Sequence, residues 1–374
     1  MKKILITCTE LMMIQFLVPH VKHLAENGFE VEVACSHVGG RMEEVYAALN
    51  DVAKIHVLRL ERSPVSPRNL LGYGDLRKLL RENRYDIIWT NEPVMGVVTR
   101  LAANRYRHSG TKVVYMCHGF HFYKGASRLH WLVFYPIEKV MSRLCDRIVT
   151  INREDEARAK TFHCPRVDYI HGIGINTDRL SLSSERVDIR EELQLEKDAF
   201  LVLSVGELNE NKNQQVVLRA LALLHDHNIH CLLCGKGEQK AALEQLTKEL
   251  GLERNVHFLG YRPDVVDICS QSDAFVLSSY REGISVASLE AMYCGMPLIS
   301  SKVRGSEDYL HDGVSGFMCD ARKAEDFAEA IGKLKADPEL RERFGETNRR
   351  TVKPYCLEQV KGEVLRLFEN IGAE

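Results

Sequence analysis

The sequence predicts an α/β protein of two doubly wound domains, each a parallel sheet covered by helices on both faces. Three observations carry this. Short runs rich in Val, Ile and Leu recur along the chain, and many are apolar at successive positions, as strands buried on both faces are. Amphipathic helical stretches fall between them. The series occurs twice, separated by a stretch in which glycine, serine and charge replace the periodic pattern.

In the first series, strands are read at KILITC, EVEVAC, IHVLRL, DIIWT, KVVYMC and RIVTI. One helix starts at Ser66-Pro67, a cap residue followed by proline in the first turn. Another opens at Asn152, with Asp155 three positions on, close to a capping box. The second series has strands at FLVLSVG, IHCLLCG, VHFLG, DAFVLSS and PLIS. The boundary lies in HGIGINTDRLSLSSERVDIREEL, giving domains 1–175 and 176–354, with a C-terminal helix over about 355–374 expected to pack back on the first. Ligands of open α/β sheets bind beyond the carboxyl ends of strands, so two such sheets facing each other would form a cleft there.

The chain has 374 residues, 45% hydrophobic and 27% charged, which is ordinary for a soluble protein with two cores. MKKILITCT is too short for the apolar part of a signal peptide, and no apolar run reaches the roughly 18 residues that span a bilayer. A cytoplasmic protein is expected. The 11 cysteines fit reduced thiols, most of them in strand-like runs. Cys231 and Cys234 form a CxxC, but strand alternation would turn them to opposite faces, which speaks against a metal. The segment Arg59–Arg147 has 16 basic against 7 acidic residues. That excess predicts an anionic partner or a solvated basic face, and both stay open. No nucleic-acid partner is expected.

The most informative stretch is YREGISVASLEAMYCGMPLISS, Tyr280 to Ser301. Glu282 follows a strand end, and a helix is read over Ile284–Tyr293, with Gly295 placed just past its end and Pro297 as its stop. The N–H groups of Gly283, Ile284, Ser285 and Val286 would then leave the helix N-terminus as an anion site. Glu290 lies about 9 Å along the axis, six residues at about 1.5 Å each. One carboxylate on either side of a phosphate suits an elongated ligand with hydroxyls at both ends. The alternative is an exposed acid at a helix entry and a solvated helix residue. Lys212, in GELNENKNQ, and His118, after KVVYMC, also follow strand ends. A lysine ammonium beside a helix N-terminus would hold a diphosphate.

With LSVGELNENKNQ, LCGKGEQKAAL, VHFLGYRPDVVDICSQSDAFVLSS and DGVSGFMCD in this order, the stretch resembles the E-x7-E signature of family-4 glycosyltransferases, retaining enzymes of the GT-B fold. HGFHFYKG is similar to the branch that makes bacterial capsule and exopolysaccharide. The resemblance implies a UDP-sugar donor, with Glu282 at the sugar hydroxyls and Glu290 at the ribose. It gives Lys212 to the diphosphate, His118 to the donor sugar and His121 to the acceptor side. Gly206, Gly235, Tyr261 and Arg262 fall in the donor-binding loops, the GYR segment holding the base through backbone groups. Two positions depart from the family pattern. Glu207 stands where an arginine is common, with Arg304 as a candidate substitute, and CTELMM lacks a glycine-rich first loop. No DxD-type acidic pair follows a strand, so no metal and no cofactor are expected. The acceptor implied is polyprenyl-diphosphate-linked or an oligosaccharide, at the inner face of the plasma membrane. Trp131, Phe134 and Tyr135, beside several cations, are read either as a core helix or as a contact with anionic lipid. An epimerase or phosphorylase on the same fold, or a non-catalytic sugar-nucleotide-binding scaffold, remain the other readings.

Overall fold

The computed structural model describes residues 1–37, 42–180 and 187–371. Of the boundary stretch His171–Leu193, 181–186 therefore lie outside the described residues, as do 372–374 at the end of the chain. The chain forms two compact units, Met1–Gly174 with Glu358–Glu374, and Ile175–Leu357.

The first unit holds β1 (Lys2–Glu10), β2 (Phe29–Ser36), β3 (Lys54–Val57), β4 (Ile87–Asn91), β5 (Lys112–Cys117), β6 (Arg147–Thr150) and β7 (Arg166–Tyr169). They form one parallel sheet in the order β3-β2-β1-β4-β5-β6-β7. The second unit holds β8 (Phe200–Val205), β9 (Ile229–Cys234), β10 (Val256–Gly260), β11 (Ala274–Leu277), β12 (Leu298–Ser301) and β13 (Gly316–Cys319). Their order, β10-β9-β8-β11-β12-β13, repeats the same winding. In each sheet the order reverses once, between β1 and β4 and between β8 and β11, and that reversal opens a crevice at the carboxyl ends of the strands.

Burial on both faces explains the apolar runs. Cys231 and Leu233 of β9 pack in one core layer, Leu232 and Cys234 in the layer on the opposite face. The two CxxC thiols are thus separated by the sheet. β7 and β13 are strands the sequence reading does not anticipate. Each is a four-residue edge strand with a single neighbour, and RVDY and GFMC lack the long apolar run of a central strand.

The helix caps follow the local chemistry. Asn152 accepts from the Asp155 N–H at 2.8 Å and donates to its carboxylate at 2.7 Å. The helix after Ser66-Pro67 runs Arg68–Glu82, so proline sits one position before the first helical residue. The C-terminal helix Leu357–Ile371 buries Val360, Val364, Leu367, Phe368 and Ile371, a stripe at helical spacing. Each such side chain contributes about 1.5–3 kcal/mol before the entropy of ordering. Phe368 packs on Trp89 of β4, centroids 5.2 Å apart, and Glu363 accepts from the His171 N–H at 3.0 Å.

Candidate active site

The loops after β8 and β11, either side of the second unit's reversal point, are tied together residue by residue. The loop after β8 ends in a 3-10 turn, Glu210–Lys212, capped by Asn209, whose side chain accepts from the Lys212 N–H at 3.0 Å. Asn213 follows in the left-handed region with φ 52°, which asparagine tolerates better than most residues. Its buried amide donates to the Ser278 carbonyl at 3.2 Å and to that of Ala321 at 2.7 Å. Ser278 Oγ donates to the Lys212 carbonyl at 2.8 Å, and the Tyr280 N–H to that of Asn211 at 2.8 Å. This lacing sets Lys212 Nζ 2.8 Å from Glu282 Oε1, an ion pair across the crevice. Arg304, buried after β12, donates from Nε to the Glu282 carbonyl at 3.0 Å, which fixes the main chain there.

Gly206 and Gly235 form the floor beside Lys212. The Gly206 N–H donates to the Cys234 carbonyl at 2.9 Å, and that of Gly235 to the Gly260 carbonyl at 2.7 Å. A Cβ on Gly235 would stand 1.8 Å from the Gly206 carbonyl oxygen, so only glycine lets the two loops meet. Next along, Tyr261 is exposed, while the Arg262 guanidinium is held by Asp264 (2.6 Å) and Glu192 (2.6 Å). The Arg262 side chain is therefore occupied with carboxylates, and its main chain is the part that can serve a ligand.

The helix after Glu282 begins later than its sequence predicts. It runs Val286–Tyr293, with Ser285 as its cap accepting from the Ser288 N–H at 3.2 Å. Gly283 and Ile284 belong to the loop before it. The serine takes the entry position because its hydroxyl can cap, and the outward N–H groups of the first turn are those of Val286 and Ala287. At the other end, the Gly295 N–H donates to the Met292 carbonyl and that of Met296 to the Ala291 carbonyl, with Gly295 at φ 80°. This is the Schellman closure expected of a glycine just past a helix.

Glu290 lies on this helix, half-buried, and its carboxylate has no hydrogen-bond partner among the described residues. Burial raises its pKa above the ordinary 4.5, with Arg179 pulling the other way. Glu282 and Glu290 thus differ in kind: one is paired with an ammonium, and the other is half-desolvated and unpaired.

In the first unit the corresponding strand ends carry His118. Its Nε2 lies 3.0 Å from Asn91 Oδ1, and the Asn91 amide in turn donates to the Thr7 carbonyl at 3.5 Å. That orientation gives His118 a proton on Nε2 and leaves Nδ1 as an acceptor. Desolvation lowers its pKa to about 4, so the ring is neutral near pH 7. His121 packs on Phe134, centroids 4.8 Å apart.

A family model described as "Glycosyl transferases group 1" matches residues 185–351, and one described as "Glycosyltransferase Family 4" matches residues 17–179. The chain is 36% identical to a putative glycosyltransferase, EpsD, of Bacillus subtilis, over 90% of its own length and 88% of the relative's. The chain is a family-4 glycosyltransferase. It is also 27% identical, over 85% of its length and 83% of the relative's, to an Escherichia coli UDP-Gal:alpha-D-GlcNAc-diphosphoundecaprenol alpha-1,3-galactosyltransferase. Among solved structures, Anabaena HepE in complex with UDP and glucose superposes with a TM-score of 0.81 at 18% identity, covering 99% of this chain and all of that one. That likeness shows the GT-B fold.

In this glycosyltransferase the sequence reading passes over Glu92. It follows β4 directly, and its backbone lies at φ 65°, ψ 155°, a region almost confined to glycine. Holding a glutamate there costs on the order of 1–3 kcal/mol. Its Oε2 accepts from the Thr9 N–H of β1 at 2.7 Å, bridging the first unit's reversal point as Lys212–Glu282 bridges the second. The only signal in the sequence is Asn91-Glu92-Pro93, an acid before a proline that starts a helix. The enzyme's helix Arg128–Met141 decides between the two readings of its aromatic residues. Trp131, Phe134 and Tyr135 pack inward on the first unit's core, and the outer face is aliphatic instead, with Leu129 65% and Leu132 75% exposed. No helix among the described residues is long and apolar enough to cross a membrane.

Proposed function

We propose that this glycosyltransferase transfers a hexose or N-acetylhexosamine from a UDP-sugar, with retention, to a lipid-linked acceptor in the synthesis of a bacterial surface glycan. The ion pair of Lys212 and Glu282 across the second unit's reversal point carries this reading. In the free enzyme Glu282 neutralises the ammonium. In the donor complex the diphosphate takes that place, at Lys212 Nζ and the N–H groups of Val286 and Ala287, and Glu282 turns to the sugar hydroxyls. Gly206, Gly235 and the main chain at Tyr261 and Arg262 border the nucleotide. Glu290 receives the ribose hydroxyls.

In the reaction the bond from the anomeric carbon to the UDP oxygen breaks. A bond to the acceptor oxygen forms on the same face, and the acceptor proton passes to the departing phosphate. Lys212 and the helix N-terminus stabilise the charge gathering there. The neutral His118 ring accepts a hydrogen bond from the donor sugar through Nδ1. The Escherichia coli relative named above is described by a UDP-sugar donor and a diphosphoundecaprenol-linked acceptor, and the Anabaena structure holds UDP. Both support a UDP-linked donor, and the Escherichia coli relative supports a lipid-linked acceptor over an oligosaccharide.

Glu290→Ala is expected to weaken UDP binding about 10- to 100-fold by titration calorimetry, the cost of about 1.5–3 kcal/mol for a charge-assisted hydrogen bond. Unchanged affinity would remove Glu290 from the site. Binding of a UDP-sugar should also weaken as pH falls. The protonated carboxyl donates instead of accepting twice, and burial places that change above 4.5. Glu290→Gln should flatten this dependence.

The exposed row Leu129, Leu132, Val133 and Val140, with the basic excess over Arg59–Arg147, supports peripheral attachment to an anionic membrane surface. The double variant Leu129→Glu/Leu132→Glu is expected to lower partitioning onto phosphatidylglycerol vesicles tenfold or more, since burying one leucine contributes about 1.5–3 kcal/mol. Equal partitioning of variant and parent would leave this face merely solvated.

A further inference from the structure

The first unit carries an apolar groove of about 560 Å3 between the helices Arg68–Glu82, Pro93–Arg107 and Arg128–Met141. That volume is within the roughly 300–1,000 Å3 of small-molecule sites. Leu70, Tyr73, Val94, Val97, Leu101 and Ile137 form its walls. Leu70 and Leu101 remain 75% and 46% exposed, an arrangement that persists in soluble proteins chiefly where something apolar is bound. The acid in its lining carries no unpaired charge. Glu138 is held by Arg100 at 2.9 Å and by the Tyr115 hydroxyl at 3.1 Å.

One end of the groove meets the strand ends that carry the first unit's polar site residues. Phe134 lines the groove and packs on His121. Pro93 and Val94 line it too, and they follow directly on Asn91, which is bonded to His118, and on the strained Glu92. From Val94 the wall runs to Leu101, seven residues or about 10 Å of helix. Pro64 lines the same groove, and two residues before it the exposed Arg62 reaches to 3.9 Å from Glu10 at the end of β1. A cation, paired with Glu10, therefore stands at the polar strand ends, two residues along the chain from the groove's wall.

We propose that this groove holds the isoprenoid chain of a polyprenyl-diphosphate-linked acceptor. Arg62 faces the diphosphate, and the acceptor sugar lies at His121 and Glu92. The inference rests on the lipid-linked reading above. It accounts for three features together: an apolar channel, a cation at its mouth and a strained acid beyond the cation. A membrane surface alone would use the outer leucine row, not a channel between helices.

Two acceptors test it in detergent solution: the same sugar diphosphate on a polyprenyl chain and on a methyl ester. Leu101→Glu and Val97→Glu should lower kcat/KM for the polyprenyl acceptor at least tenfold more than for the methyl one. An equal loss on both would overturn the proposal. A geranyl diphosphate bearing a benzophenone, photolysed with the whole unmodified protein, should label peptides from the three groove helices. Labelling only elsewhere, or none, would overturn it whatever the kinetics show. If neither acceptor is used but the groove peptides are labelled, the lipid-linked reading of the reaction fails while the isoprenoid site stands. Leu101 is half-exposed, so its variant should keep the parent's melting temperature, and this checks that the protein is folded.

Discussion

Replacing Lys212 by alanine is expected to lower turnover about 100- to 1,000-fold, the usual cost of removing one preorganised donor at a site of developing charge. The lysine is placed for this by its surroundings. The Asn209 cap, the left-handed Asn213 and the Ser278 hydroxyl hold its backbone, so the ammonium is fixed before the donor arrives. The diphosphate is charged in the ground state and gains charge as it leaves, so Lys212→Ala should weaken UDP binding as well as turnover. The substitution also strips the partner from Glu282, whose side chain is only 12% exposed. Some loss of stability should accompany it, and turnover must be scaled to the folded fraction found by calorimetry. Full turnover in the folded variant would exclude Lys212 from the reaction.

Glu282→Gln should give a different pattern: turnover reduced about 10- to 100-fold, with UDP affinity within a few-fold of the parent. UDP lacks the donor hexose whose hydroxyls Glu282 would hold. In the reaction the sugar ring changes shape, and contacts to its hydroxyls become stronger in the transition state than in the bound substrate. Because Glu282 and Lys212 are in direct contact, the double variant should lose less than the product of the two single losses. Independent effects would show that the 2.8 Å pair is incidental to turnover, and full activity in Glu282→Gln would end its sugar-end role.

Most of the fold is legible because buried parallel strands leave a dense signal. Eleven of the thirteen strands among the described residues correspond to apolar runs that can be read directly. β7 and β13 cannot, because an edge strand has one neighbour and its composition approaches that of a loop. The cap at Asn152 and the closure at Gly295 are visible since each depends on one residue type. The start of the Val286–Tyr293 helix is misplaced by two residues because Ser285 competes for the cap, a local preference that periodicity does not weigh. The polar placements are harder to see. That Glu282 meets Lys212, 70 residues away in sequence, depends on β8 and β11 being neighbours. Glu92 is invisible for another reason: strain is a property of backbone angles, and nothing in Asn91-Glu92-Pro93 states them. For Trp131, Phe134 and Tyr135 the sequence offers the core and the lipid readings, and only their packing decides for the core, since an amphipathic pattern does not say which face meets it.

The path of the chain through the two units also orders the protein's synthesis. The ends of the second unit are joined to each other: the Ile175 N–H donates to the Tyr355 carbonyl and the Leu357 N–H to that of Ile175, each at 2.9 Å. The first unit is completed only by the helix Leu357–Ile371, which covers Trp89. A ribosome that has finished Gly174 must still add 197 residues to reach Ile371, about 10–40 s at 5–20 residues per second, before that cover exists. The nascent first unit therefore waits with Trp89 lacking its Phe368 partner, while the second, whose sequence is continuous, can close on itself. Truncated or stalled chains would present that surface to chaperones, and the helix Leu357–Ile371 acts as the latch that ends the exposure.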